Sequence, residues 1–191
     1  LIGNDETGCD VVGIYAIMPG NNCAFLCTDF DDKSCKHGYK DDVLAFTSVC
    51  RDWNIPYSIE RSRSGNGAHV WIFFNDVVPA YKARRLGNAI LTEAMSRDGR
   101  MAFDSYDRFF PNQDRMPEGG SGNLVALPLQ GKARKELNSV FVDDKFLAYK
   151  DQWAYLAQVQ KVEEQKSILF CNNISMKTWE SCQPQARASH G

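Results

Sequence analysis

The run Cys23-Ala24-Phe25-Leu26-Cys27-Thr28-Asp29-Phe30-Asp31 constrains this chain more than any other stretch, because an apolar segment ends in two aspartates one residue apart. Side chains on a strand alternate faces, so Asp29 and Asp31 project from the same side, roughly 7 Å apart at about 3.3 Å per residue. Two carboxylates this close repel unless a proton or a cation lies between them. Oxygen ligands of this kind select hard divalent ions such as Mg²⁺ or Mn²⁺. Asp is also common where a strand ends in a polar turn. This segment alone leaves both readings open.

The 191 residues, 43% of them apolar, suffice for one good-sized domain or two small ones sharing a core. The formal net charge of −2 requires any nucleic-acid contact to come from local clusters of Arg and Lys. Seven cysteines form an odd set with no C-x-x-C pair. No leader-like start or membrane-length apolar run accompanies them, so reduced thiols in a cytoplasmic protein are expected. Leu1 in place of Met leads us to expect a piece of a longer chain. Cys23, Cys27, Cys35 and His37 can be drawn as a zinc set. The first two, however, lie inside the apolar run, where a small buried hydrophobe is the commoner role of Cys.

Residues 11–17 and 23–30 read as strands of a hairpin around Pro19, Gly20, Asn21 and Asn22. Val43, Phe46, Thr47, Cys50 and Trp53 recur at helical spacing and predict a helix over 41–53, stopped by Pro56. Strands are expected over 57–60 and 69–74, and Pro79 opens a helix running to Gly99. Shorter strands fit 102–106, 124–127 and 139–142. A last helix begins at Lys150 or Asp151, with Trp153, Leu156, Ala157 and Gln160 along one side. Beyond about residue 166 the pattern fades, which divides the chain into a catalytic-size domain over 1–166 and an irregular or partly helical extension over 167–191. Antiparallel hairpins with helices against them make an α+β fold.

Three further stretches can carry chemistry. In Ser64-Gly65-Asn66-Gly67-Ala68-His69 the glycines allow close backbone approach, Ser64 and the backbone N–H groups can cradle phosphate oxygens, and His69 opens the next strand. Arg61 and Arg63 precede it with charge suited to a triphosphate, although an ordinary hairpin loop has the same composition. In Phe103-Asp104-Ser105-Tyr106-Asp107-Arg108 either Asp104 or Asp107 can complete a three-carboxylate site holding two metals about 4 Å apart. The apolar segment from Gly122 to Gln130 runs into a basic loop with Lys132, Arg134 and Lys135, either a phosphate or template contact or a solvated turn.

Taken in order, Thr28-Asp29-Phe30-Asp31, Glu60-Arg61-Ser62-Arg63-Ser64-Gly65-Asn66-Gly67-Ala68-His69-Val70-Trp71, Ser105-Tyr106-Asp107-Arg108-Phe109-Phe110-Pro111-Asn112-Gln113-Asp114, Gly122-Asn123-Leu124-Val125-Ala126-Leu127-Pro128-Leu129-Gln130 and Asp151-Gln152-Trp153 resemble the archaeo-eukaryotic primase superfamily. The nearer resemblance is to the primase-polymerase domains of bacterial TOTE conflict systems, helicase-linked mobile-element proteins and CRISPR-associated primase-polymerases. It implies an RRM-like catalytic core with a small packed α/β module and template-directed nucleotidyl transfer. It also implies two Mg²⁺ or Mn²⁺ ions on Asp29, Asp31 and Asp107. Ser64 and His69 match the element that grips the incoming nucleotide, with Arg61, Arg63, Gly65, Asn66, Gly67, Lys132 and Arg134 around it. The implied partners are single-stranded DNA template and primer, dNTPs or NTPs, and helicase or CRISPR-adaptation modules, without a membrane. The zinc module of many primases has no counterpart here. Two other classes stay in view: a non-catalytic RRM-like nucleic-acid binder, and a two-metal phosphohydrolase acting through water.

Overall fold

The computed structural model describes residues 10–32, 38–97, 103–116, 118–120 and 122–163. In chain order the elements are β1 (Gly13–Tyr15), β2 (Asn22–Asp31), α1 (Tyr39–Asp52), β3 (Ser58–Arg61), β4 (Gly67–Pro79), α2 (Ala80–Arg97), β5 (Tyr106–Phe110), β6 (Leu124–Ala126), α3 (Gly131–Lys135), β7 (Val140–Val142) and α4 (Gln152–Ala157). Five strands form one antiparallel sheet in the order β5-β2-β4-β3-β7, and β1 pairs with β6 in a separate two-stranded sheet. The mixed α+β architecture is the expected one.

Strand alternation divides the large sheet into two faces. Leu26 and Phe30 of β2, Ile59 of β3, and Val70 and Ile72 of β4 pack with Val43 and Phe46 of α1 and Leu86 and Ile90 of α2. The helical spacing expected for α1 is therefore met, and its apolar stripe is buried against the sheet. Phe25, Cys27, Trp71, Phe110 and Phe141 face the other way, where Ala16 and Val125 from the small sheet cover them. β2 is inside the sheet, paired with β4 on one edge and β5 on the other. Its last two carboxylates consequently sit on a fixed surface.

The C-terminal end of β2 is clamped from both sides. Asp31 N–H donates to the Ser105 carbonyl at 2.8 Å, and Asp32 N–H donates to the Asn66 carbonyl at 2.8 Å. Ser105 is in turn held by Asp42 in the first turn of α1, whose Oδ2 accepts from the Ser105 hydroxyl at 2.5 Å and from its N–H at 3.3 Å. Both residues are buried. The helix face thus fixes the strand end that carries the acids.

Several expectations need correction. The hairpin of 11–17 with 23–30 does not form: both edges of β2 are already occupied, and β1 turns to β6 instead. Gly13 makes that pairing possible, since a Cβ there would lie 2.5 Å from the Leu124 side chain. The strand expected over 102–106 lies further on, at Tyr106–Phe110, because Asp104 and Ser105 form a turn tied to Asp42. Pro79 ends β4 rather than opening α2. The basic loop after Gln130 is the short helix α3. The last helix stops at Ala157, short of Gln160, and buries no residue.

Cys23 and Cys27 belong to the cores on opposite faces of the sheet and cannot share an ion. Burial pushes the Cys23 thiol up to about 12, with only a small opposing effect from a backbone hydrogen bond. Cys35 and His37, the other proposed zinc ligands, lie outside the described residues, as do the boundary at 166 and the segment 167–191. Among the described residues, no helix is long and apolar enough to cross a membrane.

Asp42→Ala removes the buried acceptor of both Ser105 bonds. It should lower stability by about 1.5–3 kcal/mol, measured as a lower urea midpoint at unchanged slope. An unchanged midpoint would show that the clamp does not need Asp42.

Candidate active site

Sheet register builds the site. Asp29 is directly opposite His69 on β4 and Arg108 on β5, and His69 is opposite Glu60 on β3. A single row across four strands therefore runs Arg108, Asp29, His69, Glu60, with the sign of charge alternating along it when the imidazole is protonated. The neighbouring row places Gly67 opposite Asp31.

Asp107 joins the acids through an irregularity in pairing. Asp29 is registered with Arg108 and Phe30 with Tyr106, so Asp107 is the extra residue between two consecutive pairs. Tyr106 stays on the helix side, with its ring 6.4 Å from that of Phe30. The bulge turns Asp107 to the face of Asp29 and Asp31 instead of away from it. Carboxylate oxygens of Asp29, Asp31 and Asp107 all lie within 4.8 Å of one another, each residue half-buried. Asp104 is exposed in the preceding turn and outside this cluster.

The donor set fits a hard divalent cation. It offers only carboxylate oxygens, partly open to solvent, at a spacing one ion can bridge. Arg108 already places a cation beside it, donating from Nε to Asp107 Oδ2 at 2.6 Å. That hydrogen bond, the charge of Asp107, and further off Asp29 and Asp31 hold the Arg108 guanidinium above its ordinary value, slightly opposed by desolvation.

His69 is held from both ends: Nδ1 lies 3.0 Å from Glu60 Oε2 and Nε2 lies 3.4 Å from Asp29 Oδ1. Burial acts to push its pKa down. The hydrogen bonds and charges of Asp29 and Glu60 outweigh that and raise it from 6.5 to about 10, so both ring nitrogens donate at neutral pH. Glu60 is 1% exposed and well satisfied, accepting also from Trp71 Nε1 at 2.9 Å and from Ser139 Oγ at 3.2 Å. Neither Glu60 nor Arg108 was among the residues assigned from sequence. Position two before a turn would not single out Glu60; its register with His69 does.

The hairpin from Ser62 to Gly67 closes over the end of Asp31. Gly65 has φ of 81°, and Gly65 N–H donates to the Ser62 carbonyl at 3.0 Å. Ser64 is exposed at the tip, its Oγ accepting from Asn66 N–H at 3.2 Å. At Gly67 a Cβ would collide with the Phe30 carbonyl oxygen and lie 2.8 Å from Asp31 Oδ1, so only glycine leaves that carboxylate in place.

The expected basic residues separate. Arg61 is registered with Ala68 and Val140 of the helix-side core, and its guanidinium donates to the carbonyls of Leu137 at 2.8 Å and Phe146 at 2.6 Å. It faces away from the acids. Arg63 and Lys132 line a common cleft of about 220 Å³ with Gln130 and the acids Asp10 and Glu136. Arg134 lines a different cleft, with Lys150 and Trp153.

Comparison with protein families matches residues 2–169 to the TOTE conflict system, Archaeo-Eukaryotic Primase domain. No curated protein matches the chain. The family points to a primase-like nucleotidyltransferase with nucleic-acid and nucleotide substrates, and the acidic cluster agrees with its usual dependence on divalent metal.

Two outcomes follow from the geometry. His69 binds its proton more tightly in the folded chain, about 10 against 6.5, so its contribution to stability is complete below pH 6.5 and lost as pH rises toward 10. Denaturant midpoints in EDTA should fall over that window, and His69→Gln, with no such proton to lose, should flatten the fall. An equally steep fall in the variant would assign it to other groups. Secondly, Mn²⁺ should raise the melting temperature of the wild type in a concentration-dependent way. Asp31→Asn should melt no lower in EDTA, since one repelling charge is gone, and should lose most of the Mn²⁺ shift. A full shift in that variant would remove Asp31 from the ligand set.

Proposed function

We propose, because the chain belongs to the archaeo-eukaryotic primase family of TOTE conflict systems, that it joins nucleoside triphosphates to a 3′-hydroxyl on a single-stranded DNA template and releases pyrophosphate. The observation that carries this reading is the convergence of Asp29, Asp31 and Asp107 within 4.8 Å beside a glycine hairpin. A surface that only bound nucleic acid would gain nothing from three carboxylates facing a polyanion.

Asp29, Asp31 and Asp107 would hold Mg²⁺ or Mn²⁺. Such ions, when bound, lower the pKa of an attacking hydroxyl and offset charge on the leaving phosphates. The chain's own groups do the rest. Asp31 and Asp107 flank Asp29, and all three are partly open to solvent. Gly67 keeps the space over Asp31 clear, so that a phosphate chain can approach the backbone of 65–67 and the Ser64 hydroxyl. His69, fixed between Glu60 and Asp29, lines the wall of the site and orients Asp29. Arg108 at the acidic cluster and Arg63 with Lys132 in the adjoining cleft are the cations placed to meet phosphate oxygens. Arg61 is spent on the Leu137 and Phe146 carbonyls, and in this reading it shapes the hairpin rather than binding nucleotide.

A two-metal phosphohydrolase would use the same carboxylates on water. The family match favours transfer from a triphosphate over cleavage of a strand.

Incubation of the chain with single-stranded template, primer, labelled dNTPs or NTPs and Mn²⁺ should give extended products. The Asp29→Ala/Asp31→Ala variant should give none, with loss of at least 10²-fold expected for removal of charge-stabilising groups. Products formed without primer would establish priming as well as extension. Template degradation in the absence of triphosphates would replace the proposal by the hydrolase reading.

A further inference from the structure

The Asp151-Gln152-Trp153 stretch plays no part in the acidic cluster, yet two of its side chains are committed to holding the third in place. Asp151 Oδ1 accepts from the N–H groups of Trp153 at 3.0 Å and Ala154 at 2.9 Å, capping α4. Gln152 accepts from Phe141 N–H at 2.7 Å and donates to the carbonyls of Phe141 at 2.9 Å and Tyr149 at 2.8 Å. Its amide thus pairs with the edge of β7 much as another strand would. Helix α4 fully buries no residue, and its apolar contact is the half-buried Tyr155 ring, 5.2 Å from that of Phe141. Tyr155 adds one more tie, stacked on Tyr149 at 4.1 Å and donating to Ser58 Oγ at 3.0 Å.

What the anchors present is Trp153, 54% exposed. It stands between two clefts. One, of about 430 Å³, is floored by Phe25, Trp71, Phe73 and Phe141. That floor lies on the same sheet face as the acidic row, for Trp71 is two residues beyond His69 on β4 and opposite Cys27. The other cleft, of about 400 Å³, brings Arg134 and Lys150 beside Tyr149 and Trp153. Neither cation meets a carboxylate within ion-pair distance among the described residues. An apolar floor, an exposed indole and two cations fit a ligand whose faces are flat and apolar and whose backbone is anionic. Single-stranded nucleic acid has that chemistry.

We infer that Trp153 is a stacking platform for an unpaired template base, with Arg134 and Lys150 meeting the adjacent phosphates. This rests on the nucleotidyl-transfer reading and extends it to the path of the template. The platform binds without metal and is sequence-tolerant, because every base has a π-face.

The test is fluorescence anisotropy of a labelled oligothymidylate with the full 191-residue chain in EDTA, where no transfer occurs. Trp153→Ala should weaken binding roughly ten-fold, and Trp153→Phe should restore most of it. An abasic strand of equal length should bind wild type and Trp153→Ala alike. Lys150→Gln should reduce the logarithmic salt slope by about 0.7. Melting temperatures should not change, since the indole is exposed. Equal binding of oligothymidylate by wild type and Trp153→Ala overturns the platform while leaving the proposed activity intact, and so does a Trp153→Ala defect that persists on the abasic strand. No binding of either strand by the wild type overturns the platform and the template-directed reading together.

Discussion

Three carboxylates within 4.8 Å of one another repel, and much of one sheet face is organised around that repulsion. Near a protein surface two unit charges 4 Å apart interact by about 4 kcal/mol, enough to open a strand end unless it is opposed. Two cations answer it from opposite sides, Arg108 on β5 and His69 on β4. Arg108 is held by Asp107, itself one of the three, and His69 by a fourth acid, the buried Glu60. Taken as ionised, Asp29, Asp31, Asp107 and Glu60 carry −4, and Arg108 with protonated His69 carries +2, leaving −2 over the six. The two cations thus offset about half of the negative charge of the four acids.

The strand bearing Asp29 and Asp31 was legible because alternation is a property of any strand, and an apolar run ending in Asp-x-Asp has few other conformations. The residue pattern left Asp104 and Asp107 open, and only the family resemblance pointed to Asp107. Both follow an aromatic residue, and the bulge opposite Asp29 and Phe30 brings Asp107 to the face of the other two acids. Bulges arise from pairing between distant strands, which a local pattern does not contain. Arg61 and Arg63 show the converse. Both precede the glycine turn, yet Arg61 still lies on β3, one residue from Glu60, and so must face the helices. Strand parity sets Arg61 apart from Glu60 but not from Arg63, two residues on; what separates the two arginines is the end of β3 at Arg61. Glu60 itself was invisible, since nothing in the sequence states that it will lie beside His69.

Short elements were the other source of error. β1 carries three residues, too few for alternation to name its partner, and it pairs with β6 instead of continuing into β2. The spacing of Trp153, Leu156 and Ala157 suggests a packed face, but a six-residue helix spans less than two turns and buries none of them. Its position is set by the Asp151 and Gln152 side chains, polar anchors that hydrophobic periodicity does not detect.

The same alternation that makes the acids legible also makes their placement robust. Along β4, Gly67, His69, Trp71 and Phe73 face the site, and Ala68, Val70, Ile72 and Phe74 face the helices. A slip of one residue would put the charge of His69 into the apolar core and Val70 against Asp29, exchanging every side chain on both faces at once. The helix-side core, with Val70 and Ile72 fully buried, therefore sets the register of the charged row. Precision at the site is inherited from packing on the opposite face, where none of the reacting groups reside. The site face can consequently vary along the strand, charged at the hairpin end and aromatic further along, without weakening the fold that carries it.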